Sequence, residues 1–403
     1  MKILVVSPFL PYPEKSGSRT RTMTLLKSLA GHDVFLAAFR EEGEAVADDV
    51  LSGLCREHLI FPRPALPRFA RWRNIVSPTP LLARRFASPE AEQRIRRLVT
   101  ERGIDCLIAE ALLVAEYVRP FQGIFRVLDA HNIEFVRARG RKGTTRQPLK
   151  RLAYGLVAAR LARYERRVLG DFDLVLACSD ADRRVLERTR PGLRVATVPN
   201  AVDTDAFRPA PTPPAGRAVL FTGTLWYEPN ADAACWLAAE IFPQVRLEAP
   251  DATLLIVGDD PPDPVRALGR RPGVQVVGPV EDIRPWLAQA AAYAAPVRTG
   301  SGTRQKLLDA MACGLPVVTT RKGAEGLEVE DGRHLLLAET AAEFRARILD
   351  VLRDEALRKR LAAGGRILVE EKYSRRAVID ASTALWREVE AGIPVTFGRG
   401  RAG

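Results

Sequence analysis

An α/β protein with two successive parallel-sheet domains facing each other across a cleft is what this sequence predicts, on three observations. Short apolar runs alternate with helical segments in both halves. The alternation halts once, at 200–217. The chain, at 403 residues, is too long for one ordinary domain. Apolar strands alternating with helices read as βαβ units, whose parallel sheets take ligands at the carboxyl ends of their strands.

In the first half, "KILVVSP" is a continuous apolar strand, "SGSRTRTMTLLKSLAG" a helix closed by Gly31, and "HDVFLAAF" a second strand. The strands "IDCLIAEA", "FRVLDAHN" and "DLVLACS" follow, the last preceded by a long basic helix. The stretch "VPNAVDTDAFRPAPTPPAGRA" is rich in Pro and Ala and poor in periodicity, so it reads as a linker. After it come strand "AVLFTGT", helix "NADAACWLAAEIFPQVRL", strands "ATLLIVGD" and "VQVVGPV", helix "DIRPWLAQA" and strand "AYAAPV". A glycine-bearing turn, a helix and the strand "LPVVTT" follow; then come "HLLLA", two helices over 341–372 and a last helix in "SRRAVIDASTALWREVEAG". The domains expected are 1–200, 201–372 and a terminal helix in 373–403 that packs back toward the first domain.

Composition excludes several classes. Apolar residues are 47% and charged residues 27%, the balance of a globular protein with a full core. No run of 18 uncharged apolar residues occurs, so no membrane-spanning helix is predicted. The start "MKILVVSPFLPYP" lacks the apolar core and cleavage site of a signal peptide and reads as a buried strand. Cys55, Cys106, Cys178, Cys235 and Cys313 are scattered, without CxxC spacing, and the histidines do not cluster with them. A reduced, cytoplasmic chain is the expectation.

The net charge of +12 is uneven. Residues 1–200 hold 35 Lys+Arg against 22 Asp+Glu, and 201–403 hold 26 against 27. Much of the excess lies in 137–170 and 63–86. Such a field attracts polyanions, anionic lipid head groups or phosphorylated substrates, or it is a solvated face.

The stretch most worth attention is "TGSGTRQKLLDAMACGLPVVTT" (299–320). At 100° per residue Leu307, Leu308 and Met311 fall on one helix face, packing on the sheet, and Gln305, Lys306 and Asp309 on the other, facing outward. Gly314 is the C-cap candidate. Gly300 and Gly302 flank the helix start, where free N–H groups favour an anion. Arg304, in the first turn, offers a bidentate fork to phosphate and Lys306 a point charge. Asp309 stands where a carboxylate accepts hydrogen bonds from vicinal ribose hydroxyls. The pattern suits a nucleoside diphosphate; an ordinary capped helix with a solvated Lys–Asp pair accounts for the same residues. No GxxxxGK[ST] is present.

Taken in order, "SPFLPYPEKSGSRTRTMTLLKSLAGHDV", "LDAHNIE", "CSDADR", "VPNAVDTDAFRP", "FTGTLWYEPNADA", "LLIVGDDP", "VQVVGPVEDIRPWL" and "GSGTRQKLLDAMACGLPVVTT" make the chain resemble the GT-B-fold, family 4 type of retaining glycosyltransferases. Within these it is most similar to the sugar transferases of exopolysaccharide and capsule pathways. The resemblance covers nearly the whole chain. It implies transfer of a sugar from a nucleotide-sugar such as a UDP- or GDP-sugar to a saccharide or lipid-linked acceptor, at the inner face of the membrane. The first domain then binds the acceptor and the second the donor.

Position by position, the resemblance sets Gly17 near the donor diphosphate and acceptor, and His131 against the transferred sugar. Gly223 and Thr224 match a turn approaching the phosphates, with Ser301, Gly302, Thr303 and Asp309 as further donor-binding positions. Two departures stand out. The paired-glutamate motif reads Ser301 and Asp309, so its first carboxylate is lost and its second shortened. The family's Arg and Lys after "FTGT" are absent from "LWYEPN". Arg304 and Lys306 are therefore expected to supply that positive charge from the helix, as catalytic groups with His131. No DxD-type pair stands out, and "GDDPPD" (258–263) reads as a polar turn, so neither metal nor cofactor is expected. The rival readings are a catalytically silent nucleotide-sugar binder and a GT-B-like sugar-nucleotide epimerase. A nucleic-acid binder ranks last, since aromatics are 7% and no stacking or helix-turn-helix module is present.

Overall fold

The computed structural model describes residues 1–65, 80, 84–144, 148–212, 214, 216–300 and 302–392. Most of the basic stretch 63–86, and Ser301, lie outside the described residues. The chain divides into two compact units: Met1–Asn200 with Val378 onward, and Ala201–Ala377.

The first unit is built on seven parallel strands: β1 (Lys2–Ser7), β2 (Asp33–Arg40), β3 (Glu57–Pro62), β4 (Cys106–Glu110), β5 (Phe125–Ala130), β6 (Leu174–Ala177) and β7 (Val195–Thr197), in the order β3-β2-β1-β4-β5-β6-β7. Helices cover both faces, which is why β1 reads as an unbroken apolar run rather than an alternating one. Side chains of successive residues still go to opposite faces. Leu4 and Val6 join one core with Phe39 and Leu107, while Ile3 and Val5 join the other with Leu36 and Ile108. That second core also holds Leu385 and Trp386 of the helix Arg375–Glu390, whose indole nitrogen donates to Ser28 Oγ at 3.1 Å.

In the second unit, β8 (Ala218–Thr222), β9 (Thr253–Val257), β10 (Val274–Val277), β11 (Ala292–Ala295), β12 (Val317–Thr319) and β13 (Leu336–Leu337) pair in parallel in the order β10-β9-β8-β11-β12-β13. Each sheet reverses its strand order once, at β1/β4 in the first and at β8/β11 in the second. Such switch points open a crevice at the carboxyl edge.

Several elements differ from the sequence reading. The edge strands β3 and β7 carry half-buried residues and little apolar signal, so periodicity passes over them. The basic helix is two helices, Glu134–Thr144 and Pro148–Leu169. The expected linker is, in its first part, fixed to the second unit. Val202 exchanges backbone hydrogen bonds with Tyr373 and Arg375 at 2.9 and 2.8 Å, and the Arg366 guanidinium donates to the carbonyls of Phe207 and Thr204. A Pro- and Ala-rich stretch lacks periodicity but not backbone polar groups, and here those groups are met by backbone and side chains of the same unit.

Candidate functional site

Two clusters of polar side chains stand at the carboxyl edges of the two sheets. In the second unit, β8 ends at Thr222, and Gly223 and Thr224 turn into the helix Glu228–Trp236. Gly223 holds φ of 154°, which residues with a side chain rarely adopt, and a Cβ there would stand 2.6 Å from Lys306 Nζ and 2.8 Å from Asn230 Nδ2, displacing both side-chain ends. Gly258, after β9, is tighter still: its Cβ would fall 1.7 Å from the Gly223 carbonyl oxygen. Lys306 donates to Asn230 Oδ1 at 2.8 Å and lies 4.5 Å from the centre of the Phe221 ring. Asn230 is oriented by its own donation to the Thr224 carbonyl at 2.9 Å.

The helix Gln305–Ala312 carries this lysine in its first turn, with Leu307, Leu308 and Met311 buried beneath it as the periodicity predicts. Its polar face is not turned outward, however. Lys306 and Asp309 are half-buried, and packing round them disfavours charge. Burial, helped by Arg304, pulls the Lys306 ammonium down to about 7. Burial pushes Asp309 up to about 7, against the opposing hydrogen bond from Gln305 and the charge of Lys306. Gln305 Nε2 donates to Asp309 Oδ1 and to the Ala201 carbonyl, both at 3.0 Å. The 100° wheel missed this because it sees one helix and not the β8 turn packed against it.

Arg304 stands one residue earlier than expected, at the N-cap, and folds back on its own loop. Its guanidinium donates to the carbonyls of Gly302 at 2.8 Å and Thr299 at 3.3 Å, bracing the turn in which Gly300 and Gly302 hold φ of 108° and 79°. Thr303 is buried in the same turn, and Ser301 is outside the described residues. Gly223, Thr224, Gly302, Thr303, Arg304, Lys306 and Asp309 thus gather around the β8/β11 switch point.

In the first unit, Gly17 opens the helix Gly17–Ser28 behind the Ser16 cap, without a left-handed φ. His131 follows β5 and is buried beside Asp129 and Glu110, with Nε2 3.2 Å from Asp129 Oδ2 and 4.0 Å from Glu110 Oε1. Arg21 holds Asp129 through Nε and Nη2 and donates through Nη1 to the Val198 carbonyl at 2.7 Å and Asn200 Oδ1 at 3.2 Å. Burial alone would raise the Asp129 pKa. Arg21 and His131 instead hold that carboxylate well below the usual range. Glu110, fully buried, is pushed up to about 7 and takes a hydrogen bond from Thr22 Oγ1 at 2.5 Å. Glu110, Asp129 and His131 each bring a metal-capable atom within 4.8 Å of the others, but the Arg21 guanidinium already supplies positive charge there.

Arg21, Glu110, Asp129 and Asn230 were not singled out by sequence. Each is a lone polar residue at a strand end or on a helix, and its partner is remote: Arg21 meets Asp129 across 108 residues.

Comparison with known proteins fits this geometry. The Glycosyltransferase Family 4 model matches residues 16–206, and the model described as Glycosyl transferases group 1 matches 216–354. The chain belongs to the family 4 glycosyltransferases. It is an enzyme of GT-B fold, with two Rossmann-like units. It is 22% identical over 395 residues to an uncharacterized 44.6 kDa protein in the cps region of Klebsiella pneumoniae, covering 94% of this chain and 98% of that one. It is 32% identical over 200 residues to a phosphatidyl-myo-inositol mannosyltransferase of Mycobacterium leprae, covering 47% of this glycosyltransferase and 52% of the relative. Among solved structures it is similar to Anabaena HepE in complex with UDP-glucose, with TM-score 0.66, 16% identity, and coverage of 96% and 100%.

Proposed function

We propose that this glycosyltransferase moves a sugar, with retention of anomeric configuration, from a nucleotide-sugar to a saccharide or lipid-linked acceptor in surface-polysaccharide or glycoconjugate synthesis. The observation that carries the donor reading is the Lys306 ammonium, desolvated and hydrogen-bonded to Asn230 against the Gly223 turn, which itself packs on Gly258 where no Cβ fits. A lysine held near neutrality by burial gains most from an arriving anion. A diphosphate restores its charge, and the glycine turn lets backbone and phosphate approach closely. Asp309, one turn on, is assigned to the ribose hydroxyls.

Breaking the sugar–phosphate C–O bond leaves negative charge on the departing diphosphate. A preorganised donor at that oxygen is worth about 3 kcal/mol of barrier. The departing phosphate then helps remove the acceptor proton on the same face, and His131 keeps the sugar contact that the resemblance assigns. No metal is required in this scheme. The basic first unit takes the acceptor, and its charge suits an anionic membrane surface. The nucleotide-sugar in the HepE structure and the cps location of the Klebsiella relative support donor class and context.

Thermal-shift titration with UDP, GDP and their sugars tests this reading. One nucleoside diphosphate raises the melting temperature of the wild type and not of Lys306→Ala. Equal shifts in both proteins, or none in either, end it. Transfer that survives chelation of divalent ions supports the metal-free scheme; binding without turnover leaves only a silent binder.

A further inference from the structure

We infer that the helix Pro148–Leu169 is a docking element for an anionic lipid surface, lying in the head-group plane with an apolar tip inserted. Leu152, Leu156 and Val157 are 63%, 59% and 42% exposed, an apolar cluster within two turns of the helix. The exposed face then turns basic, with Arg163, Arg166 and Arg167 open to solvent and Arg151 beside the leucines. Between Pro148 and Leu169 stand six Lys and Arg residues and a single acid, Glu165. That acid is turned inward. It accepts the backbone N–H groups of Glu134 and Phe135 at 3.2 and 3.1 Å, and burial pushes it up to about 8.

The helix is therefore anchored at one end and open at the other. Leu161, Val168 and Leu169 are buried, and Tyr164 donates to Glu116 Oε1 at 2.6 Å. At 22 residues it is about 33 Å long. No helix among the described residues is apolar enough to cross a membrane, this one included. Exposed leucines flanked by arginines, with no exposed acid on the helix, are the composition of a segment that lies in an interface. A second copy of the chain is the poorer occupant, since symmetric pairing would set these arginines against their own equivalents.

The inference deepens the proposed function by placing the acceptor at a membrane, and its test is separable from the donor reading. The full chain is floated with vesicles of phosphatidylcholine alone and with phosphatidylglycerol added. Binding to the anionic vesicles only is expected. Leu152→Ser with Leu156→Ser lowers the partition coefficient about tenfold or more at unchanged melting temperature. Arg151→Gln, Arg163→Gln and Arg166→Gln each cost about fivefold, and salt weakens binding. Equal flotation with both vesicles, no flotation, or a sedimenting dimer dissolved by the leucine changes overturns the inference. The melting shift with UDP and with GDP is read on the same preparations without vesicles. Its persistence without flotation sinks the docking surface alone, and flotation without the shift sinks the donor reading alone.

Discussion

Arg21 and Lys306 both stand near the carboxyl edge of a parallel sheet, and each has a carboxylate nearby, yet their charges are met in opposite ways. Arg21 has two nitrogens on Asp129 and a third on a carbonyl and an amide, so burial is compensated and the pair stays charged. Lys306 shares one helix with Asp309, but its hydrogen bond goes to the neutral Asn230, and the carboxylate takes its bond from Gln305. Both groups are driven toward neutrality. A satisfied buried ion pair fixes a structure; a desolvated lysine is what the proposed donor reading completes with a ligand. On that reading Arg21–Asp129 is a lock in the first unit and Lys306 a seat in the second.

The sharpest way to break this contrast is to cut the lock. Arg21→Met or Asp129→Leu alone strands a buried charge and is expected to cost about 3–5 kcal/mol of unfolding free energy, read by urea titration. The double change recovers most of that loss. If either single variant keeps wild-type stability, Arg21–Asp129 is not the structural element described here.

The opposite result is expected at the seat. Lys306→Met leaves the melting temperature equal or higher, since it removes an ammonium that the fold desolvates without an ion-pair partner in hydrogen-bond contact among the described residues. Turnover falls about 10²–10³-fold, as for loss of one charge-stabilising donor. A variant that transfers sugar at the wild-type rate would return the lysine to a merely structural place.

Sequence made the alternation of strands and helices legible because each buried strand is an apolar run bounded by turn residues, as in "KILVVSP" and "AVLFTGT". It also located Gly223 and Lys306, separately, as members of motifs. What it could not supply was their meeting: they stand 83 positions apart, and the contact is set by β8 and β11 being neighbours in the sheet. The same limit hid Arg21, whose helix reads as ordinary surface until Asp129 and Asn200 close on it. Helical periodicity placed Leu307 and Leu308 inward but put Lys306 and Asp309 in water, because a wheel contains no neighbouring loop.

The smallest expected effect is also the most specific to the seat, a dependence on pH. In the folded chain Lys306 loses its proton near 7 instead of 10.5, so between those values the unfolded chain binds more protons and stability rises with pH. Asp309 keeps its proton up to about 7 instead of 3.8, so between those values the folded chain binds more and stability falls as pH rises. Together the two contributions pass through a minimum near neutrality. Lys306→Met removes the recovering limb, so the melting temperature of the wild type minus that of the variant climbs by about a few °C from pH 7 to pH 9.5. On the proposed donor reading, a saturating nucleoside diphosphate such as UDP acts on the same proton. A diphosphate keeps Lys306 charged, so the stabilisation it gives is greatest below pH 7 and shrinks as pH rises through that value. A flat difference curve, with a UDP shift independent of pH, would mean that Lys306 stays protonated throughout and that its contact with Asn230 is as fully compensated as that of Arg21 with Asp129.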